Sequence, residues 1–481
     1  MLSSVWSGAV VGVDAVPVEI ETHIRSGLPG YAVVGLPQAT VRESRERVLS
    51  AMRSSGFKVP RGTITVSMAP ADLRKEGASF DLPLALGLMA ADEEAEELRH
   101  ALAGCVLAGE LALDGRLRPV RGILPIAEMA ADREQRIVVA VENLAEARQV
   151  ARVRAFGARG LAEALGVVLE RTGGAEAAVG AADADESRAD LHDVRGQVMC
   201  KRALEIAAVG GHHILLTGPP GSGKTMLARR LPGLLPPCDP EERLEVLRVH
   251  SVAGLPAPGE QRPFRAPHHS ISRAGLIGGG NPPQPGEVSL ASRGVLFLDE
   301  FPEFRRDAIE SLRQPLEEGY VHIRRVRYSV TFPATFMLVA SMNPCPCGHA
   351  GDPERCLCDP LVVSRYRQRV SGPLLDRMDL IVEVPAVRFG DFGGPSGDSS
   401  AQVRERVLEA RAFKGTYGAK IPALAELSGP CAEMLEAAVT KGGLSARGLT
   451  RVLRVARSIA DLAWSRELRR EHLGEALQFR G

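Results

Sequence analysis

The stretch "HILLTGPPGSGKTMLARRL" constrains this chain more than any other part of it. It carries Gly218, Pro219, Pro220, Gly221, Ser222, Gly223, Lys224 and Thr225 in the spacing Gly-x-x-x-x-Gly-Lys-Thr. An apolar run, Ile214–Leu216, precedes it and a helical pattern follows it. Glycines let successive backbone N–H groups close around phosphates. Lysine reaches the β- and γ-phosphates, and the threonine hydroxyl binds Mg²⁺. A loop of this kind joins a buried strand to a helix, so it implies an α/β core as well as a site for ATP.

Later segments fit the same chemistry. In "RGVLFLDEFPEF" the run Val295–Leu298 reads as a buried strand ending at Asp299 and Glu300. Asp299 is placed to help hold Mg²⁺, and Glu300 to orient the attacking water. "TFMLVASMNP" is another apolar strand, ending at Asn343, which suits a polar sensor of the γ-phosphate. "SGPLLDRMDLIVEV" puts Arg377 at a helix end before a further strand, and "LSARGLTRVLRVARSIADL" opens the C-terminal helices with Arg447. Phosphoryl transfer needs cations at the developing γ-phosphate charge, and an arginine there is worth roughly 10³–10⁵ in rate. Either arginine alone would read as a surface ion pair. Their order after both nucleotide motifs favours the functional reading.

With 481 residues the chain is long enough for two to four domains. Lys+Arg and Asp+Glu both number 59, so the net charge of zero neither suggests nor excludes a nucleic-acid surface. No run of about 18 apolar residues appears, and the N-terminus has no basic stretch of the signal-peptide kind. A cytoplasmic protein is therefore expected, with reduced thiols and few disulfides. Residues 1–171 alternate strand-like and helix-like segments. Residues 172–190, rich in Ala, Gly and Asp, read as a linker. Residues 191–389 are again strand–helix–strand, 390–400 form a second break, and 401–481 read as helices throughout.

"NPCPCGHAGDPERCLCDP" holds Cys345, Cys347, Cys356 and Cys358 as two Cys-x-Cys pairs. Metal binding, disulfides and redox chemistry are all open to such a pattern. A reducing compartment demotes disulfides. Four thiolates at this spacing reach one tetrahedral ion, although Cys-x-Cys is tighter than the usual pairs. Pro344, Pro346 and Gly348 bend the chain to help. No neighbouring lysine or helix N-terminus marks a reactive thiol. A structural Zn²⁺ is the expectation.

The order of motifs resembles the AAA+ ATPases of the magnesium-chelatase-like branch. More closely, "RPFRAPHHSISRAGLIGGG", "PGEVSLASRGVLFLDEFPEF", "TFPATFMLVASMNPCPCG", "SGPLLDRMDL" and "GLPQATVRESRERVLSAMRSSGF" resemble the ComM/YifB family. The resemblance implies a homo-hexameric, ATP-driven helicase that migrates DNA branches during natural transformation. It implies that Arg377 is an arginine finger acting on the neighbouring subunit's ATP, and that Arg447 is a second sensor acting in its own subunit. Two other readings stand beside it. One is a chelatase motor, which would need a separate partner with a metal-adhesion domain. The other is a protein-remodelling ATPase or protease.

Two features bear on the choice. "GYVHIRRVRYSVTFPA" reads as two short strands around Arg324 and Arg325, with Arg327 beyond. Related motors project a hairpin into the pore at this point, so Arg324 and Arg325 are candidates for DNA phosphates. Upstream, Arg262, Arg265, His268, His269 and Arg273 suit a mobile cationic loop before three glycines. No Cys or carboxylate completes a metal set with the histidines, which read as structural or ATPase-coupling residues. Arg451, Arg454 and Arg457 read as a solvated helix face. In the N-terminal part, "RKEGASFDL" and "AGELALDGRLRPVRGILPIAEMAA" resemble the proteolytic domain of Lon. The nucleophile would fall on Ser79, but the lysine that should activate it is replaced by Leu124. A Lon-like α+β domain without proteolysis is expected, with DNA binding or ring stabilisation both open.

Overall fold

The computed structural model describes residues 2–35, 39–75, 77–176, 189–325, 328–350, 354–386, 397–417, 427, 429–440 and 443–480. Most of the expected linker, most of the expected break at 390–400, and Arg327 lie outside the described residues. The chain divides into two compact units. The first holds residues up to 182 together with Leu247–Ala257, and the second holds 183–246 and 258–481.

The first unit is built on a mixed sheet of seven strands. These are β1 (Leu2–Val11), β2 (Asp14–Arg25), β3 (Gly30–Val34), β4 (Thr63–Ala69), β5 (Cys105–Leu107), β6 (Arg136–Ala140) and β7 (Ala155–Ala158). Their order is β3-β4-β2-β1-β5-β6-β7, with β2 antiparallel to both its neighbours and the remaining pairs parallel. The helix Asp81–Ala90 is apolar on nearly every side and is almost wholly buried. Its first residue, Asp81, is the exception, and Arg47 pairs with it through two hydrogen bonds of 2.7 and 3.0 Å.

The segment Leu247–Ala257 completes this unit. The Ser251 carbonyl accepts from the Gly122 N–H at 3.0 Å, and its Oγ accepts from the Leu124 N–H at 3.2 Å. Those N–H groups open the helix Ile123–Asp132 and have no partner within it. The Arg248 guanidinium binds Glu128 of the same helix at 2.6 and 2.7 Å. The Leu124 side chain is fully buried in the apolar interior, and Ser79 is half-buried.

The second unit is a five-stranded sheet of β8 (Ile214–Thr217), β9 (Phe264–Arg265), β10 (Val295–Leu298), β13 (Met337–Met342) and β14 (Leu380–Glu383). Between β10 and β13 in the chain lies a hairpin of β11 (Tyr320–Arg325) and β12 (Tyr328–Pro333). The sheet order is β9-β10-β13-β8-β14, and every pair is parallel. β10 and β13 are buried at every position, which is why they read as unbroken apolar runs: a parallel sheet is covered on both faces.

The C-terminal helices Ser400–Tyr417, Gly429–Thr440, Ala446–Leu462 and Arg470–Gln478 follow the sheet. Val403, Val407, Val452, Ile459 and Leu473 share one apolar cluster with Leu204 and Leu227 of the α/β part, so these helices have no separate core. The fold class expected from the sequence therefore holds, a mixed α/β chain with a parallel-strand nucleotide fold and a helical C-terminus.

Two readings of the basic residues need correction. Arg262 pairs with Glu242 at 2.6 Å, and Arg265 binds Glu287 at 2.6 and 2.8 Å. Both guanidinium groups are neutralised by the surrounding structure and do not form a mobile cationic loop. Arg451, Arg454 and Arg457 are not one solvated face either. Each step of three residues turns about −60° around a helix. Arg457 thus points inward to Asp461 at 2.9 Å, while Arg451 reaches the buried Asp379 at 3.1 Å.

Candidate nucleotide site

The loop after β8 curls back on itself because three of its glycines allow it. Gly221 and Gly223 have φ of 73° and 92°, in the left-handed region that favours glycine. A Cβ on Gly218 would meet the Val384 carbonyl oxygen at 2.2 Å. Lys224 opens the following helix and is buried. Its Nζ donates to the carbonyls of Gly218 and Pro219 at 2.7 and 2.9 Å, and to Asn343 Oδ1 at 3.2 Å. Burial pushes the Lys224 pKa down, against the pull of Asp299 and Glu300.

Register explains why Asn343 is there. β8 and β13 run parallel with Thr217 opposite Met342, so the residues that follow each strand end side by side. The next strand over, β10, delivers Asp299. Thr225 Oγ1 donates to Asp299 Oδ2 at 2.7 Å, and Ser341 Oγ donates to Asp299 Oδ1. A hydroxyl and a carboxylate oxygen in contact, beside a phosphate-type loop, are a fitting pair for Mg²⁺, a hard cation that prefers oxygen ligands. Ser341 was not singled out from sequence. It is one small residue inside an apolar run, and only the strand pairing aims it.

Glu300 has φ of 53°, a left-handed conformation that costs a non-glycine residue about 1 kcal/mol. Its N–H donates to Asp299 Oδ1 at 3.1 Å, which holds the turn and sends the carboxylate outward. There His269 Nδ1 stands 3.5 Å from Glu300 Oε2. The carboxylate opens on a cavity of about 510 Å³ lined also by Asn343, Pro346, Tyr366 and Arg369.

The four cysteines lie against this site. The Sγ atoms of Cys345, Cys347, Cys356 and Cys358 are all within 4.8 Å of one another, so the group can hold a metal ion. Burial would raise the Cys345 pKa, but hydrogen bonds with the Cys347 and Cys356 thiols bring it down to about 7.

Arg377 and Arg447 line a second cavity, of about 220 Å³, together with Glu317, Asp376, Arg451 and Arg454. Arg377 pairs with Glu317 and donates to the Pro373 carbonyl at 2.6 Å. Arg447, to which the resemblance gives an own-subunit role, shares this cavity with Arg377. β14 runs parallel to β8 with Leu380 beside Ile214 and Glu383 beside Thr217. Asp376–Asp379 enter β14, so this cavity sits at the edge where β8 begins. The phosphate loop is at the other edge, on the order of 10 Å along the strands. The helix from Ala446 packs its first turns against Asp379, and that carries Arg447 to Arg377 and away from Lys224. Burial alone would raise the Asp379 pKa, but the nearby His212 ring, with Nδ1 at 3.7 Å, together with the His213 ring and the His213 N–H that donates at 3.0 Å, holds it well below the usual range.

Arg324 and Arg325 are exposed at the end of the β11–β12 hairpin, whose Val321, Ile323, Val330 and Phe332 face inward. Among the described residues no helix is long and apolar enough to cross a membrane.

A phosphate-type loop between parallel strands, an Asp-Glu pair on the neighbouring element, an Asn on the strand between them and C-terminal helices define an AAA+ ATPase module of the magnesium-chelatase type. The family model "Magnesium chelatase, subunit ChlI" matches residues 190–392, its C-terminal counterpart matches 397–480, and "Subunit ChlI of Mg-chelatase" matches 20–143. The chain is 44% identical to protein YifB of Salmonella typhimurium over 495 residues, covering all of this chain and 97% of that one. It is 44% identical to the competence protein ComM of Haemophilus influenzae over 502 residues, again covering all of this chain and 97% of the relative. The 38 kDa magnesium-chelatase subunit of Cereibacter sphaeroides is 26% identical over 327 residues, 58% of this chain and 92% of the subunit. The chain belongs to the ComM/YifB family.

Proposed function

We propose that this chain is a cytoplasmic, ATP-hydrolysing motor that works as a homo-hexamer on branched or single-stranded DNA, as a helicase or branch-migration factor in recombination and natural transformation. The observation that carries the ring is the cavity of Arg377, Arg447, Arg451 and Arg454, four guanidinium groups that outnumber the carboxylates of Glu317 and Asp376 lining it and Asp379 behind Arg451, gathered at the sheet edge away from the chain's own phosphate loop. So many cations around one open space suit an anion brought by another molecule. In a ring that anion is the neighbour's ATP. The name of the Haemophilus influenzae relative, a competence protein, supports DNA as substrate. The full-length 44% identity to ComM, against a partial 26% identity to the chelatase subunit, supports this reading over the chelatase one.

In this reading residues 1–171 form a non-proteolytic Lon-like domain, 172–190 a linker, 191–389 the ATPase core and 401–481 the helical lid. Lys224 exchanges the Gly218 and Pro219 carbonyls for the β- and γ-phosphates. Thr225 and Asp299 hold Mg²⁺, which neutralises phosphate charge when bound. Glu300 orients the attacking water, and Asn343 reports the γ-phosphate. Arg377 and Arg447 together meet the charge developing on the neighbour's γ-phosphate. Arg324 and Arg325 contact DNA phosphates. The test is ATPase activity with forked, four-way, single-stranded and no DNA, alongside sedimentation with an ATP analogue. Stimulation by DNA and a six-subunit mass are expected. DNA-independent turnover by a monomer would overturn the reading.

A further inference from the structure

We infer that Cys345, Cys347, Cys356 and Cys358 hold one zinc ion, and that this ion braces the phosphate loop and Asn343, so that nucleotide binding depends on the metal. The inference rests on the reading of Gly218–Thr225 as an ATP site.

The geometry of the thiols comes first. A tetrahedral Zn²⁺ with Zn–S bonds of about 2.3 Å sets its sulfurs about 3.8 Å apart. The structure gives 3.3 Å between Cys345 and Cys347, 3.8 Å between Cys345 and Cys356, and 3.7 Å between Cys347 and Cys356. All eight cysteines of the chain are unbridged, so these four do not satisfy one another as disulfides. Leu357, between the thiols of the second pair, is 93% exposed, so apolar packing of that arm does not draw it in. Cys345 is buried, whereas Cys347 is exposed.

The position of the knuckle comes second. Asn343 precedes Cys345 by two residues, and it is Asn343 Oδ1 that accepts from Lys224 Nζ at 3.2 Å. Between the first two thiols and the phosphate loop stands Gly348. Its φ is +84°, and its N–H donates to the Cys345 carbonyl at 3.0 Å, closing the turn. A Cβ at Gly348 would strike Pro220 of the phosphate loop at 2.4 Å. Pro346, between the first two thiols, lines the cavity onto which Glu300 opens. The Pro344 carbonyl accepts from Arg367 Nε at 3.4 Å. Thus one side of the knuckle touches Pro220, and its incoming strand carries the lysine's partner. Without a metal, four thiols have little to hold this turn against the loop. If the metal-free turn keeps the competent arrangement about a tenth of the time, apparent nucleotide affinity falls about tenfold.

The test uses the full chain. Protein purified without chelators is analysed for zinc and iron, its thiols are titrated, and a fluorescent ATP analogue is bound before metal stripping, after stripping and after zinc is restored. Expected are one zinc per chain, four protected thiols, affinity about tenfold weaker on stripping, and recovery with zinc. Gly348→Ala provides a second route because it leaves the thiols in place. It should retain zinc and weaken nucleotide binding. No zinc with four freely reacting thiols, or iron in its place, overturns the metal site. Zinc present with unchanged affinity after stripping, and in Gly348→Ala, overturns the brace. An intact protein that binds no nucleotide at all overturns the ATP reading beneath both.

Discussion

His269 Nδ1 lies 3.5 Å from Glu300 Oε2, and the His269 ring also meets Phe304 edge-on with centroids 6.4 Å apart. The imidazole is thereby fixed beside the carboxylate assigned to water orientation. Replacing Glu300 by Gln should leave ATP bound and slow hydrolysis by about 10²–10⁴-fold. His269→Ala should lower kcat by less than Glu300→Gln and leave KM nearly unchanged, since His269 positions Glu300 without touching nucleotide. His269→Asn, which keeps a polar partner, should recover part of the loss. A raised KM at unchanged kcat would show that His269 serves binding instead.

Arg377 and Arg447 share one cavity, so they should fail and be rescued together. Arg377→Ala and Arg447→Ala should each abolish most ATPase activity, the former by roughly 10³-fold or more. Mixing either with Lys224→Ala should restore activity, because mixed rings contain junctions with an intact loop and intact arginines. If Arg377→Ala is rescued and Arg447→Ala is not, Arg447 acts in its own subunit after all.

Arg324 and Arg325 stand exposed on a hairpin held by Val321, Ile323, Val330 and Phe332. Changing both to Ala should weaken DNA binding equally at all sequences. It should also reduce the slope of log affinity against log salt by about 2, because each phosphate contact releases about one counterion. ATPase activity without DNA should persist. A titration series in salt decides this, and an unchanged slope would make the hairpin tip a solvated surface.

His213 predicts a pH effect on stability. Its Nδ1 accepts from the Leu338 N–H at 3.0 Å, which requires an unprotonated nitrogen. Desolvation of the ring pushes its pKa down to about 4. Unfolded, it titrates near 6.5. The unfolded chain therefore binds the proton more readily between these values, and the contribution of His213 is whole above about pH 6.5 and lost as pH falls towards 4. Urea midpoints should drop across that window in the parent. They should drop less in His213→Asn, whose amide oxygen keeps the acceptor without the titration. Parallel curves for both proteins would remove His213 as the cause.

Much of the site could be read from the sequence because its parts close strands. Lys224, Asp299 and Asn343 each follow an apolar run, and the parallel register of β8, β10 and β13 brings such ends together. What could not be read depends on direction across space. Ser341 differs from its apolar neighbours by one hydroxyl, and nothing local says it faces Asp299. His269 lies thirty-one positions before Glu300 and reaches it only because β9 and β10 are paired. That Arg447 would share a cavity with Arg377 could not be read, because chain order does not say at which edge of a sheet a later helix begins. Arg262 and Arg265 looked free because their carboxylates, Glu242 and Glu287, are about twenty residues away.

The partnership of Ser251 with Gly122 and Leu124 has a consequence for how the chain is made. The helix Ile123–Asp132 leaves the ribosome well before the residues that cap its first turn, which must wait for the segment Leu247–Ala257. At the usual pace of synthesis that gap is on the order of ten seconds. For that time the nascent N-terminal sheet exists without Arg248 on Glu128 and without the Ser251 carbonyl on the Gly122 N–H, while Glu146 already accepts from the Leu124 N–H at 3.2 Å, a form open to chaperones or to early degradation. The phosphate loop, at 218–225, is translated within the same interval. The N-terminal unit thus finishes folding only after the phosphate loop has been synthesised.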